Sequence, residues 1–335
     1  MAAAGNPPRT GGIEPDELRL AARNHALPLE ALRYPLTPAG LHYVLVHYDV
    51  PDVDPGAWRL DVTGRIDRPL ELSLEELRHR PSSTLAVTLE CAGNGRALLS
   101  PRPVSQPWLS EAVGTAEWTG APLADLLGDA GVQDDAVDVL FTGLDRGIEG
   151  GVWQRYERSL PVADALAGDA LLAYEMNGAP LPLQHGYPVR LIIPGWYGMA
   201  HVKWLAEIRV LDEPFEGYQH TRAYRMRRSP DDEGTPVTRM EPRSLLIPPG
   251  VPDFMSRTRY LRPGPVTLTG RAWSGWAPIT RVEVSADGGA TWWDASVEDG
   301  ASRYAWSGFE AEWDATPGEH ELCARTTDAD GRAQP

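Results

Sequence analysis

The chain has 335 residues, with 31 basic against 47 acidic ones and a net charge of −16. That length favours two domains over one, and the acidic balance excludes broad nucleic-acid binding while leaving room for a small anion at a locally basic site. The 33 glycines and 31 prolines follow no period, which excludes collagen, and no apolar run reaches the ~20 residues of a membrane span.

The N-terminal residues MAAAGNPPRTGG hold no apolar leader core, so the expected location is the cytoplasm or the periplasm. Residues 1–30 read as an arm, Gly- and Pro-rich at first. LHYVLV from Leu41 reads as a buried strand, and WRLDVTGR from Trp58 alternates with period two. Ser73 and Glu76 have capping-box spacing, which predicts a short helix over SLEELRHR. STLAVTLECAGNGR then reads as a strand ending in a glycine-rich turn, and Leu123 to Leu127 as a second short helix. AVDVLFTG, ALLAYEMNG and PVRLIIPG are strand-like and each stops at Gly or Asn-Gly. Residues 31–230 thus read as a mixed α+β domain rather than as regular βαβ units.

SPDDEGTP reads as a linker, and beyond it alternating segments broken by Asp-Gly turns fit a small β-sandwich over 235–335. Six of the 12 tryptophans lie between Trp273 and Trp313, and are expected to fill the space between its sheets. Cys323 has a parity that suits a small buried hydrophobe.

Three motifs carry chemistry. Cys91, at the end of a strand and before Gly93-Asn94-Gly95-Arg96, reads either as a nucleophile or metal ligand whose thiolate Arg96 favours, or as a buried structural cysteine. A dinucleotide fingerprint fails there, because Leu98 stands where the third glycine belongs. His185, Arg190, His201 and Lys203, the only lysine in the chain, fall in one Gly- and Pro-punctuated tract. That tract reads either as the lining of an anionic pocket or as a solvated rim with structural histidines. Arg222, Arg225, Arg227 and Arg228 surround Tyr224 in a run that is either a solvated face or a local anion site.

VTLECAGNGR, LLAYEMNGAPLPLQHGYPVRLIIPG, HVKWL, AWSG, VEVSADGGATW and CARTTDADGRAQP occur in this order and closely resemble the sulfite oxidase family of molybdenum-pterin enzymes. The resemblance spans about residues 30–335. It implies a molybdopterin-binding domain followed by an immunoglobulin-like dimerisation domain, hence a homodimer. It also implies a molybdenum cofactor held on a pyranopterin dithiolene, with Cys91 as the metal's protein ligand. Tyr43, His47, Asp145, His185, Arg190, His201, Val202 and Lys203 would contact the cofactor. Arg96, Trp108 and Tyr224 would form the substrate pocket, with Tyr224 catalytic. The implied reaction is two-electron oxygen-atom transfer, sulfite to sulfate. No CxxCH haem motif occurs, so the electrons would pass to an external acceptor such as a cytochrome, which the acidic surface suits if it is basic. The chain departs from the pattern at Leu45, Gly95 and Ala200, where relatives carry arginine. These losses leave open a different substrate, of the S-oxide, N-oxide or nitrate type, on the same cofactor, and a non-catalytic member of the family.

Overall fold

Short alternating segments punctuated by Gly, Pro and Asn-Gly favour strands over long helices, and the computed structural model is built that way. It describes residues 13–100, 103–227, 229, 231–300 and 302–335. Among these the helices are α1 (Pro15–Ala21), α2 (Leu74–His79), α3 (Leu123–Ala130), α4 (Val162–Ala165) and α5 (Tyr218–Thr221). None is long and apolar enough to cross a membrane.

The first part of the chain contributes β1 (Arg59–Gly64), β2 (Leu70–Ser73), β3 (Ser83–Glu90), β4 (Val113–Pro122), β5 (Asp138–Glu149), β6 (Val152–Pro161) and β7 (Leu171–Met176). It continues with β8 (Ala179–Pro180), β9 (Arg190–Ile192), β10 (Leu205–Leu211), and the short ladder of β11 (Arg225–Met226) with β12 (Thr235–Pro236). One sheet runs in the order β2-β1-β10-β5-β6, and another in the order β3-β4-β7-β8, with β9 added beside β7. Val62, Leu126, Phe141, Leu172, Leu191 and Ile208 are buried in one cluster that fuses the two sheets. The predicted caps are present: Ser73 Oγ accepts from Glu76 N at 3.2 Å while Glu76 Oε2 accepts from Ser73 N at 2.8 Å. Helix α3 ends at Gly131 with φ +73°, a left-handed conformation that suits glycine.

The second part holds β13 (Arg243–Leu246), a small hairpin of β14 (Val251–Pro252) and β15 (Arg259–Tyr260), β16 (Gly264–Trp273), β17 (Ile279–Ser285), β18 (Trp293–Val297), β19 (Ser307–Ala315) and β20 (Cys323–Asp328). Its sheet runs β13-β16-β19-β18-β17-β20 and folds over a core of Leu268, Ala272, Val282, Val284, Phe309 and Ala311. The architecture is α+β, a mixed domain followed by a β-sandwich.

Four expectations change. Residues 1–12 of the expected arm lie outside the described residues, but from Pro15 the segment is a helix with a capping box, and Leu27 is buried. LHYVLV forms no strand: only Val44 pairs, with His25, because Asn24 Oδ1 takes Val46 N and Lys203 Nζ takes Leu45 O. The tryptophans fill the sandwich only in part. Trp293 and Trp313, half-buried, pack against its core, whereas Trp273 and Trp306 pack with Leu27, Leu32 and Val113 in the seam between the two parts, and Trp276 and Trp292 are only partly buried. Cys323 is half-buried rather than a core residue.

Candidate active site

Strand β3 is buried along its second half and delivers Cys91 to the end of a cleft. There the chain must turn sharply, and the glycines permit it: Gly95 has φ +86°, and a Cβ on Gly93 would lie 3.0 Å from Arg96 Cζ. Arg96 therefore folds back toward Cys91. The thiol is 7% exposed, and burial raises its pKa while the Gly93 N–H, 3.4 Å from Sγ, and the Arg96 charge oppose that.

The residue before Cys91 fixes the loop from below. Glu90 is 1% exposed, yet its Oε1 accepts from Arg243 Nη1 at 2.8 Å and Asn94 Nδ2 at 3.0 Å, and its Oε2 accepts from Trp273 Nε1 at 2.8 Å. Asn94 also donates to Ser110 O and accepts from Ala112 N. Arg243 and Trp273 are cross-strand neighbours on β13 and β16, so the second part of the chain holds the cysteine loop of the first.

Behind Cys91 an inner pocket is lined by Tyr43, Leu45, His47, Asp145, His185, Arg190, His201, Lys203 and Tyr224, together with His42, Tyr156 and Gln184. Arg190 sits 4.8 Å over the Trp118 ring and donates to His185 O, but its buried Nε has no partner among the described residues. Burial pushes its pKa down to about 10. Asp145 Oδ1 is likewise buried and unpartnered. Glycine at 143 is what admits that carboxylate, since a Cβ there would lie 2.6 Å from Oδ1. Burial lifts Asp145 to about 7, against the pull of Lys203. Lys203 is lowered toward neutrality by the same burial and by Arg190. Its Nζ donates to Leu45 O at 2.8 Å and Gln184 O at 3.0 Å, which leaves one proton of the ammonium for the pocket.

The histidines stay neutral. Desolvation lowers His42 to about 4, His47 to about 3, His185 to about 2 and His201 to about 3. His201 uses both ring nitrogens on backbone, Nδ1 accepting from Ile193 N and Nε2 donating to Trp196 O, so its ring has no free polar atom for the pocket. Val202 points into the hydrophobic core and does not line the pocket. Tyr224 leaves the arginine run to meet His47, with Oη 2.5 Å from Nε2, beneath the buried Arg158 guanidinium. Burial raises the tyrosine's pKa, so one proton lies between a neutral phenol and a neutral imidazole.

In front of Cys91 the outer cleft opens to about 820 Å³ and includes Arg96, Trp108, Arg222, Arg225 and Arg227. Arg228 lies outside the described residues. The cleft and the inner pocket share Leu45, His47, Cys91, Ala92 and Tyr224, so the thiol stands at their junction.

Residues 47–219 match the family model for the oxidoreductase molybdopterin binding domain, and residues 236–335 match the Mo-co oxidoreductase dimerisation domain. The chain belongs to the sulfite oxidase family of molybdopterin oxidoreductases. It is 36% identical to chicken sulfite oxidase over 99% of this chain and 75% of that one, and 38% identical to mouse mitochondrial sulfite oxidase over 81% of this chain and 51% of the other. An NADH nitrate reductase of Brassica napus is 34% identical over 77% of this chain and 30% of that protein. The solved structure of the sulfane dehydrogenase SoxCD from Paracoccus pantotrophus superposes with TM-score 0.79 at 29% identity, covering 92% of this chain and 77% of that one. The chain spans about half the length of the mammalian relatives.

Family membership implies a molybdenum cofactor, and the residues present fit one. Among the described residues no three His, Cys, Asp or Glu side chains gather as a metal site, so a metal at Cys91 needs its other donors from an organic ligand. The unpartnered Arg190 Nε and Asp145 Oδ1, with the spare Lys203 proton, offer a donor–acceptor set for a polar heterocycle. Sequence reading missed His42, Tyr156 and Gln184, and it missed Arg158 and Glu90. The isolated Glu in VTLECAGN, apolar on either side, was the signal for the last.

Proposed function

We propose that this chain oxidises a sulfur oxyanion by two-electron oxygen-atom transfer, with sulfite to sulfate as the reference reaction, and passes the electrons to an external one-electron acceptor. The observation that carries the reading is the placing of Cys91 between a polar inner pocket and a cleft that ends on the Arg96 guanidinium. The bound cofactor supplies the two-electron redox change and an exchangeable oxygen.

The protein side is positional. Cys91 would hold the metal, and the Glu90 clamp fixes where its sulfur stands. Arg190, Asp145, His185 and Lys203 would hold the pterin, with Lys203 the point charge for its polar end. Arg96 holds the substrate anion next to the thiol by charge-assisted hydrogen bonds. Tyr224 Oη and His47 Nε2 keep one proton at the junction, where charge changes as the substrate turns over. Trp108, buried beside Cys91, closes the wall of the cleft. The second part of the chain would pair with a second copy, as the dimerisation-domain match supports.

The test is sulfite-dependent reduction of ferricyanide by protein that holds about one molybdenum per chain. Turnover that falls at least tenfold in Arg96→Met is expected. Molybdenum-loaded protein that does not turn over any sulfur oxyanion refutes the reading.

A further inference from the structure

The cleft in front of Cys91 is far larger than a bare oxyanion needs. An anion of four heavy atoms fills on the order of 100 Å³, a few waters' worth, whereas the cleft has about 820 Å³, within the ~300–1,000 Å³ typical of sites for drug-sized ligands. Arg225 donates to the Glu233, His220 and Gly234 carbonyls, so its fork is engaged. Three further guanidinium groups of the cleft make no side-chain hydrogen bond or ion pair among the described residues: Arg222 and Arg227, which are exposed, and Arg96, which is half-buried in the turn that follows Cys91. Besides polar groups such as Asn94, Gln106 and Glu149, the cleft has an apolar lining of Leu45 at the junction, Trp108 beside the thiol, and Leu99, Ile148 and Met226 at the mouth. Those last three are 57%, 74% and 66% exposed. Large apolar side chains gathered around a cleft mouth mark a surface that meets an apolar ligand.

We propose that the preferred substrate is a monoanionic sulfur acid carrying an apolar organic group, an organosulfinate, which is oxidised to the sulfonate. The inference rests on the oxygen-transfer reading above and names its substrate class. The sulfinate oxygens take the half-buried Arg96 guanidinium near the thiol, and the organic group lies against Leu45, Leu99, Ile148 and Met226. The reaction balances as RSO2⁻ + H2O → RSO3⁻ + 2H⁺ + 2e⁻. A sulfur–oxygen bond forms, both O–H bonds of water break, and two equivalents of a one-electron acceptor such as ferricyanide are reduced.

The experiment compares kcat/KM for benzenesulfinate and sulfite, with ferricyanide, on molybdenum-loaded protein. It is paired with calorimetric titration of the same protein with benzenesulfonate and sulfate. The expected result is a preference of at least tenfold for benzenesulfinate and at least tenfold tighter binding of benzenesulfonate. In Leu45→Arg, which exchanges an apolar wall for a second fork of donors, the kinetic ratio swings at least tenfold toward sulfite. Sulfite turnover with a preference for benzenesulfinate below tenfold overturns the inference and leaves the proposed function standing. Oxidation of neither acid overturns the proposed function, and the inference with it.

Discussion

Arg243→Met tests how the cysteine loop is held. Glu90 is 1% exposed and its carboxylate rests on one cation and two neutral donors, Asn94 and Trp273. Removing the cation leaves a buried charge without its counter-ion, a loss of about 3–5 kcal/mol in comparable pairs. The Arg243 side chain is 25% exposed, so water can enter where it stood, and the expected cost lies at the lower end, about 3 kcal/mol. Urea unfolding followed by tryptophan fluorescence reads it directly, because Trp273 is itself a donor to Glu90. Glu90→Gln in the Arg243→Met background removes the stranded charge and should recover at least about 1.5 kcal/mol, a coupling the double-mutant cycle isolates. Metal content should fall with Arg243→Met, since Cys91 follows Glu90 directly. A cost under about 1 kcal/mol, or additive single effects, would refute the clamp.

Other outcomes follow from the same structure. His42, His47, His185, His201 and His220 are held neutral, with pKa values lowered to about 4, 3, 2, 3 and 3, so the unfolded chain binds more protons as pH falls below 6.5. Asp145, raised to about 7, offsets one of these five protons. Stability of the cofactor-free protein should therefore drop between pH 6 and 4.5, by about 1.4 kcal/mol per pH unit for each net proton the unfolded chain takes up, and a flat profile of denaturation midpoints there contradicts the assignment. Ser73→Ala removes the cap of α2 and should cost about 1 kcal/mol in thermal or urea unfolding, with no change in metal content. Sedimentation of the full chain should give a dimer, and a monomer at micromolar concentration counts against pairing through residues 236–335.

Much of the fold was legible because it rests on local signals. The Ser73–Glu76 box, the helix that begins at Leu123, and β7, which stops before Asn177-Gly178, stand where turn and capping chemistry put them, whereas β5 runs past Gly143 to Glu149. LHYVLV misled because an apolar run reads as a strand whether or not a partner strand exists. Here a side-chain amide and the lone lysine take its backbone groups. Two of the tryptophans misled because aromatic content signals burial without saying where. Trp273 and Trp306 are buried against residues near position 30, more than 200 positions away in the chain. In the site, Cys91, Arg190 and Lys203 were visible as chemistry at glycine-rich turns. Arg158 and Glu90 were not, because their meaning depends on non-local partners, Tyr224 for one and Arg243 for the other. The ring of His201 shows the reverse case: a suggestive residue in a suggestive tract whose nitrogens serve the backbone.

The proposed function requires that the sulfur of Cys91 bind molybdenum. Molybdenum K-edge X-ray absorption on the purified protein and on Cys91→Ser reads that bond. The metal in the wild-type protein is expected to have one more sulfur neighbour than in the variant. Identical sulfur coordination in the two proteins, or wild-type protein from a molybdenum-replete host that holds no molybdenum, would contradict it.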